Sequence, residues 1–313
     1  MEDRFVGIRE FVLTVEKGSL TAAAAQLGVT GSAVGKSISK LEARLGVQLL
    51  HRTTRRIDLT SEGEAYLLSC RRIFEELDQT ESFLATGHQH PIGRLRVDLP
   101  TTFGRRHIVS TLLDLAARYE KLDLDVTLRD QPVDMVGQGI DLAVRIGVLG
   151  DHPDLIARRL GDQHLTTCAS PGYLARKGVP LSYADLSQHD CLTGWRRGAK
   201  PAWLLRDEHG KFERHEVSAR HELTDGDALL EACIRGAGLA QLPIWLAGEA
   251  IQSGALVSVL PEISGASMPI HVIWQKTWHL QPKVKVTVDA LTHLAASRSD
   301  IFNAVPIYCS ATG

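Results

Sequence analysis

Apolar positions between Gly18 and Leu59 fall twice at helical spacing, with a break between the two runs. Ser19 is placed to cap a first helix through Ala22–Leu27, whose alanines leave a thin face for a second helix to approach. Gly28 supplies a residue that tolerates positive φ at the end of that helix. Thr30 is a second N-cap, and the spacing after it predicts a helix that buries Val34, Ile38, Leu41 and Leu45. Its other face shows Ser32, Gly35, Lys36, Ser39 and Lys40, which are small or cationic. A wing then follows, with strands at Leu49–Arg52 and Arg56–Leu59 and a turn at Thr53–Thr54. This is the order of a helix-turn-helix, whose second helix enters a DNA groove. The bland alternative is a helical hairpin with a solvated charged face.

A long helix is predicted next, roughly Ser61 to Gly87. Tyr66, Cys70, Ile73, Leu77, Thr80 and Leu84 form an a/d-like seam on it, with acidic and basic residues between them. At 1.5 Å per residue it spans about 40 Å, long for a helix packed only on its own domain. His88 and His90 read as a hinge rather than a metal pair, since no other ligands lie near them.

After Pro91-Ile92-Gly93 the pattern changes to alternating strands and helices. Strands are expected at Leu95–Leu99, Leu124–Arg129, Asp141–Ile146 and Leu155–Leu160, with a helix over Arg105–Glu120. The chain then crosses at Asp162–Ala169 into a second unit. That unit is read as a helix at Pro171–Lys177, strands near Leu192–Trp195, Trp203–Arg206 and Phe212–Ala219, a helix at Asp227–Arg235, a strand at Leu239–Leu242 and a helix at Trp245–Gln252. Met268–Gln275 reads as the return crossing, and Pro282–Ala296 as a last helix on the first unit. Two α/β lobes joined by two crossings make a hinged clamp of the kind that binds small molecules. The fold class is therefore α plus α/β. Its parts are a DNA-binding domain over residues 1–60, a linker helix and hinge over 61–90, a clamp over 91–300 and a tail over 301–313. Lobe I takes 91–162 and 269–300; lobe II takes 163–268.

Charge strengthens the DNA reading. Gly31–Arg56 holds six Lys or Arg and one acid, Glu42, a local charge of +5 in a chain of net charge −2. A basic patch on a near-neutral chain is an electrostatic footprint for phosphate. The 313 residues, 44% of them hydrophobic, suffice for about two domains with real cores. No run of eighteen apolar residues exists and Met1–Arg9 is charged, so a cytoplasmic protein with no membrane partner is expected. The five cysteines, Cys70, Cys168, Cys191, Cys233 and Cys309, lack CxxC spacing and read as reduced thiols. None of the thirteen histidines falls in HExxH spacing and no GxSxG occurs, so no catalytic residue, metal or cofactor is assigned.

Phe11, Val15, the GSLTAAA run from Gly18, the SAV from Ser32, Leu41-Glu42, Leu45-Gly46-Val47, RTTR at Arg52–Arg55, and Leu59-Thr60 before Gly63 together carry a resemblance. With them the N-terminal residues resemble the winged helix-turn-helix of LysR-type transcriptional regulators. The resemblance spans Phe5 to Tyr66, with one departure: Gly35 stands where the family usually has Ser or Thr. GQGIDLAVRIG, LEACIRG and GAGLAQLP carry a weaker resemblance to the family's effector domain, which is related in form to periplasmic binding proteins.

These readings place duplex DNA against Thr30, Ser32, Lys36, Lys40, Arg52, Thr54, Arg55 and Arg56. The resemblance implies dimerisation through Tyr66, Ile73, Leu77 and Leu84, with tetramers beyond the dimer and RNA polymerase as a further partner. A small-molecule effector, an organic acid among the candidates, is expected near Thr101 and Thr102, Arg145, Thr193 and Trp195, and Thr224. Arg145 could face an effector carboxylate, Asp141 or another neighbour. Asp225 and Asp227 complicate an anion site, because two acids already satisfy that helix end. The expected function is DNA-binding, effector-responsive transcription regulation. The rival is a cytoplasmic small-molecule-binding protein or enzyme with an accessory DNA-binding domain.

Overall fold

The computed structural model describes residues 5–52, 57–85, 90–150, 152–194, 200–276 and 281–304, which divide into two compact units, Met1–His88 and Gln89–Gly313. The N-terminal unit opens with α1 (Ile8–Lys17), α2 (Leu20–Leu27) and α3 (Gly31–Leu45). Both expected caps form: Ala22 N–H donates to Ser19 Oγ at 3.0 Å and Ala33 N–H to Thr30 Oγ1 at 3.2 Å. Gly28 ends α2 at φ 68°. Val34, Ile38 and Leu41 are fully buried against Phe11 and Val12 of α1 and the alanines of α2. Leu45 departs from the expected pattern and is 38% exposed. Gly46, in the left-handed region at φ 73°, stops α3 directly after it, and Leu49 and Leu50 fill the core instead.

Strands β1 (Leu50–Arg52) and β2 (Ile57–Leu59) pair antiparallel, with Arg52 opposite Ile57. The base of this wing is tied down twice. Glu42 at the end of α3 accepts from the backbone N–H of Leu49 at 2.9 Å and Leu50 at 3.2 Å. Thr60 Oγ1 donates to the Gln48 carbonyl at 2.7 Å and accepts from Gly63 N–H at 2.9 Å, which caps the long α4 (Ser61–Ala85). The first turns of α4 pack inward: Tyr66 lies on Phe11 with ring centres 5.9 Å apart, and Leu67 and Cys70 are buried. Further along, Ile73 and Leu77 are exposed.

The C-terminal unit runs β3 (Gly93–Leu99), α5 (Thr101–Phe103), a π-helical turn Gly104–Ile108, α6 (Val109–Arg118), β4 (Leu122–Leu128) and β5 (Leu142–Ile146). β6 (Leu155–Ala169) then enters the second lobe, where α7 (Pro171–Lys177), β7 (Cys191–Thr193), β8 (Ala202–Arg206), β9 (Phe212–Glu216) and β10 (Ala219–Glu222) follow. After α8 (Gly226–Ile234), β11 (Leu239–Pro243), α9 (Ile244–Gln252) and β12 (Val257–Val259), the chain returns through β13 (Ser267–Gln275) to α10 (Pro282–Ser297) and α11 (Ser299–Phe302).

The sheet order is β10-β7-β11-β6-β13-β5-β3-β4, with β12 also on β6. β6 belongs to both lobes: its first part pairs with β13 and its last part lies between β11 and β12. The outward crossing is thus a single 15-residue strand, where the hydropathy pattern predicts a strand followed by a connector. Its first residues are mostly exposed and its last mostly buried, so the strand carries no single period along its length. The stretch expected as one strand over Phe212–Ala219 also divides, because β9 pairs with β8 in a hairpin while β10 joins the main sheet.

Lobe I packs Leu95, Val97 and Leu99 of β3 under Phe103, Leu112, Val288 and Leu291. Ile301 and Phe302, expected in a tail, are buried in that core, and Gly161 makes room for them. A Cβ at Gly161 would sit 2.2 Å from the Phe302 carbonyl oxygen. Lys283, almost fully buried on α10, donates to the Arg94 carbonyl at 2.6 Å and to Asp141 Oδ2 at 2.9 Å. Lobe II has apolar layers on both sides of its strands, one around Tyr173, Trp203 and Leu205, the other around Leu229, Leu242 and Leu246. Cys70, Cys168, Cys191 and Cys233 are buried thiols, and burial pushes Cys191 up to about 12, which keeps it protonated and unreactive.

Candidate DNA-reading face and effector cleft

The two faces of α3 separate as an amphipathic helix requires. With Val34, Ile38 and Leu41 turned inward, Ser32, Lys36, Ser39 and Lys40 are exposed on the opposite side. The hydroxyls of this face are partly spent on the helix itself. Thr30 Oγ1 and Ser32 Oγ lie 3.2 Å apart, and Ser39 Oγ donates to the Gly35 carbonyl at 3.0 Å. Lys36 and Lys40 carry the charge of the face. Gly35 is not required by packing, because the nearest atom to a Cβ placed there is Leu20 Cδ1 at 3.9 Å. Thr54, Arg55 and Arg56, and the side chain of Arg52, lie outside the described residues, as does the side chain of Leu84. Glu42 and Thr60 hold the wing base against α3 and α4, yet their acceptor and donor partners are backbone groups of residues 48–50. The pairs Leu41-Glu42 and Leu59-Thr60 stand out in the sequence, but nothing in their spacing reveals those partners.

Of the expected seam on α4, Tyr66 and Cys70 are taken up by their own unit's core. Its exposed apolar part therefore begins at Ile73 and continues to Leu77.

In the C-terminal unit the carboxyl ends of β3, β4 and β5 lie side by side. The turn after β3 places Thr101 and Thr102 there, as expected. Thr101 N–H donates to Asp130 Oδ1 at 3.1 Å, and Thr102 Oγ1 accepts from Gly226 N–H of lobe II at 2.9 Å. Thr193 is buried at the end of β7, its carbonyl accepting from Leu223 N–H at 2.8 Å, and Thr224 beside it is exposed. Trp195 lies outside the described residues.

Arg145 is not a free cation. Its Nη2 donates to Asp98 Oδ1 at 2.5 Å and its Nη1 to the Val144 carbonyl at 2.8 Å. Asp98 is fully buried and also pairs with Arg129. A buried carboxylate demands this neutralisation, and Asp141, the other partner weighed for Arg145, is held by Lys283. Asp225 accepts from Ala228 N–H at 3.0 Å as the cap of α8, and with Asp227 it also meets arginines of lobe I.

His107, on the π-helical turn, stands edge-on to Phe103 and Trp245, with ring centres 5.3 and 5.0 Å away. Burial, helped by the charges of Arg298 and Arg106, pulls its imidazole down to about 4. The unfolded chain then binds a proton below pH ~6.5 that the fold rejects until about pH 4, so stability falls as pH drops through that window. Allowing for partial exposure, the loss is about 2 kcal/mol. Urea midpoints compared between wild type and His107→Phe from neutral to acid pH should show a smaller acid loss in the variant. Parallel profiles would contradict the assignment.

Among the described residues no helix is long and apolar enough to cross a membrane. Residues 7–64 match the bacterial regulatory helix-turn-helix model of the lysR family, and residues 88–296 match the LysR substrate binding domain. The chain is 35% identical over 302 residues to an HTH-type transcriptional repressor of Pseudomonas aeruginosa, covering 96% of this chain and 94% of that one. It is 35% identical over 299 residues to the HTH-type transcriptional regulator DmlR of Escherichia coli, covering 95% and 96% of the two chains. Among solved structures, CrgA, a LysR-type transcriptional regulator from Neisseria meningitidis, is 30% identical, with a TM-score of 0.58 over 92% of this chain and 98% of that one. The chain belongs to the LysR family of transcriptional regulators, oligomeric proteins that bind DNA through the helix-turn-helix and a small-molecule effector through the substrate-binding domain.

Proposed function

We propose that α3 reads operator DNA through the face bearing Thr30, Ser32, Lys36 and Lys40, while Arg52, Thr54, Arg55 and Arg56 of the wing hold phosphates or the minor groove. The observation that carries this reading is the clean division of α3, with two exposed lysines on one side and a fully buried apolar seam on the other. The sequence from Gly31 to Arg56, which includes that face, carries a charge of +5 in a chain of net charge −2. Two copies join along the exposed Ile73–Leu77 part of α4, with Leu84 beyond it, and set two recognition helices at two half-sites; pairs of dimers form a tetramer. The effector, a small molecule, lies between the Thr101 turn and the Thr193–Thr224 edge, and its occupancy changes how the dimer meets RNA polymerase at a promoter in the cytoplasm. The clamp over residues 91–300 is a folding unit separate from residues 1–60 and the linker at 61–90.

Gel-shift titrations on DNA upstream of the protein's own gene, run across a salt series, test the reading. Lys36→Ala with Arg52→Ala should weaken binding and reduce the salt slope by about two, near one per lost phosphate contact. Unchanged affinity and slope would show that α3 and the wing are not the DNA-binding face.

A further inference from the structure

Away from the strands that cross between them, the two lobes of the C-terminal unit meet at a second, charged contact. Lobe I offers Thr102 and the π-helical turn with Arg105 and Arg106; lobe II offers the first turn of α8, Asp225, Gly226 and Asp227. Arg105 Nη2 reaches Asp225 Oδ2 at 3.3 Å and also pairs with Asp227, and Arg106 Nη2 meets Asp227 Oδ1 at 2.5 Å. Between these pairs Gly226 N–H donates to the buried Thr102 Oγ1 at 2.9 Å. The fit is close, since a Cβ at Gly226 would sit 2.9 Å from that oxygen. The start of α8, where an incoming anion would be expected to bind, is thus satisfied from lobe I and by its own cap.

We propose that these residues form an ionic latch that favours closure of the cleft at this end, an equilibrium that an effector then shifts. The inference rests on the reading of the interlobe cleft as the effector site. All four charged side chains are part-exposed, between 30% and 47%, so each pair is weak and screened by salt. Weakness suits a switch, because a ligand shifts an equilibrium only by its differential affinity for the two states. Partners about 120 positions apart in the chain are not forced together by local connectivity.

Hydrogen exchange on the full-length, ligand-free protein tests the latch independently of any effector. At about 0.02 M NaCl, Asp227→Asn and Arg105→Gln should each speed exchange in the first turn of α8 by roughly tenfold. At about 0.5 M NaCl the wild type should approach both variants, because screening removes what the substitutions removed. Arg105→Gln is decisive: it lies on the other lobe and leaves the charge at the start of α8 intact. The latch is overturned if Arg105→Gln changes nothing in α8, or if the variants differ from wild type by the same factor at both salt levels. Failure to find a cleft ligand would instead count against the effector reading and leave these exchange rates unaffected.

Discussion

Replacing Asp98 by alanine is expected to lower the stability of the C-terminal unit by about 3 kcal/mol. Asp98 is the penultimate residue of β3 and is fully buried, and its carboxylate lies between Arg145 and Arg129. Arg145 has a side chain only 13% exposed, so without Asp98 it becomes a cation with little access to water. Arg129, 32% exposed, can recover hydration, which sets the cost toward the lower end of the range for broken buried pairs. Asp98→Asn keeps one acceptor for Arg145 and should cost roughly half as much. Urea denaturation followed by tryptophan fluorescence reads both values. If the alanine variant unfolded at the wild-type midpoint, the triad would be a surface feature rather than part of the frame behind the Thr101 turn.

Gly63→Ala should be as damaging in the N-terminal unit, with a sign opposite to helix propensity. Gly63 lies in the first turn of α4, where alanine would ordinarily gain about 1 kcal/mol. Here a Cβ would sit 2.0 Å from the Leu49 carbonyl oxygen and 3.1 Å from Leu59 Cδ2. A backbone carbonyl cannot rotate aside, so α4 must lift from the wing base. That movement strains the bonds from Gly63 N–H to Thr60 Oγ1 and from Thr60 N–H to the Leu49 carbonyl. Overpacking plus a weakened cap amounts to about 3 kcal/mol, and DNA affinity should fall with the displaced wing. Gly35→Ala is the matched control: the space is open, so the same exchange should raise stability by about 1 kcal/mol. Thermal unfolding of the two full-length variants decides the matter. Equal shifts would mean that packing at Gly63 is not what requires glycine.

What could be read from the sequence was what depends on near neighbours. Ser19 and Thr30 cap helices three residues away, and Val34, Ile38 and Leu41 repeat at the helical period, so their roles follow from spacing alone. Leu45 continued the same period and still missed the core, because Gly46 ended the helix and Leu49 took its place. Partners distant in the chain carry no such signal. Arg145 finds Asp98 on a neighbouring strand, and Asp225 and Asp227 find arginines on the opposite lobe. The Tyr66–Leu84 seam was legible as a stripe, but its division, with Tyr66 half-buried, Cys70 buried and Ile73 and Leu77 exposed, depends on where α1 stops covering it. β12 is three residues long and owes its existence to the edge of β6.

The place of β13 in the sheet also orders the making of the protein. β13 lies between β5 and β6, and α10 after it supplies Val284, Val288 and Leu291 to the core of lobe I. At ~5–20 residues per second of translation, Ile146 leaves the ribosome about 6–24 s before Ser267. Lobe II is synthesised during that interval, so β5 has β3 beside it but waits for β13 until lobe II is made. Lobe I, begun first, is therefore completed last. Its open strand edge is the part of the nascent chain most exposed to wrong pairing and most in need of a chaperone.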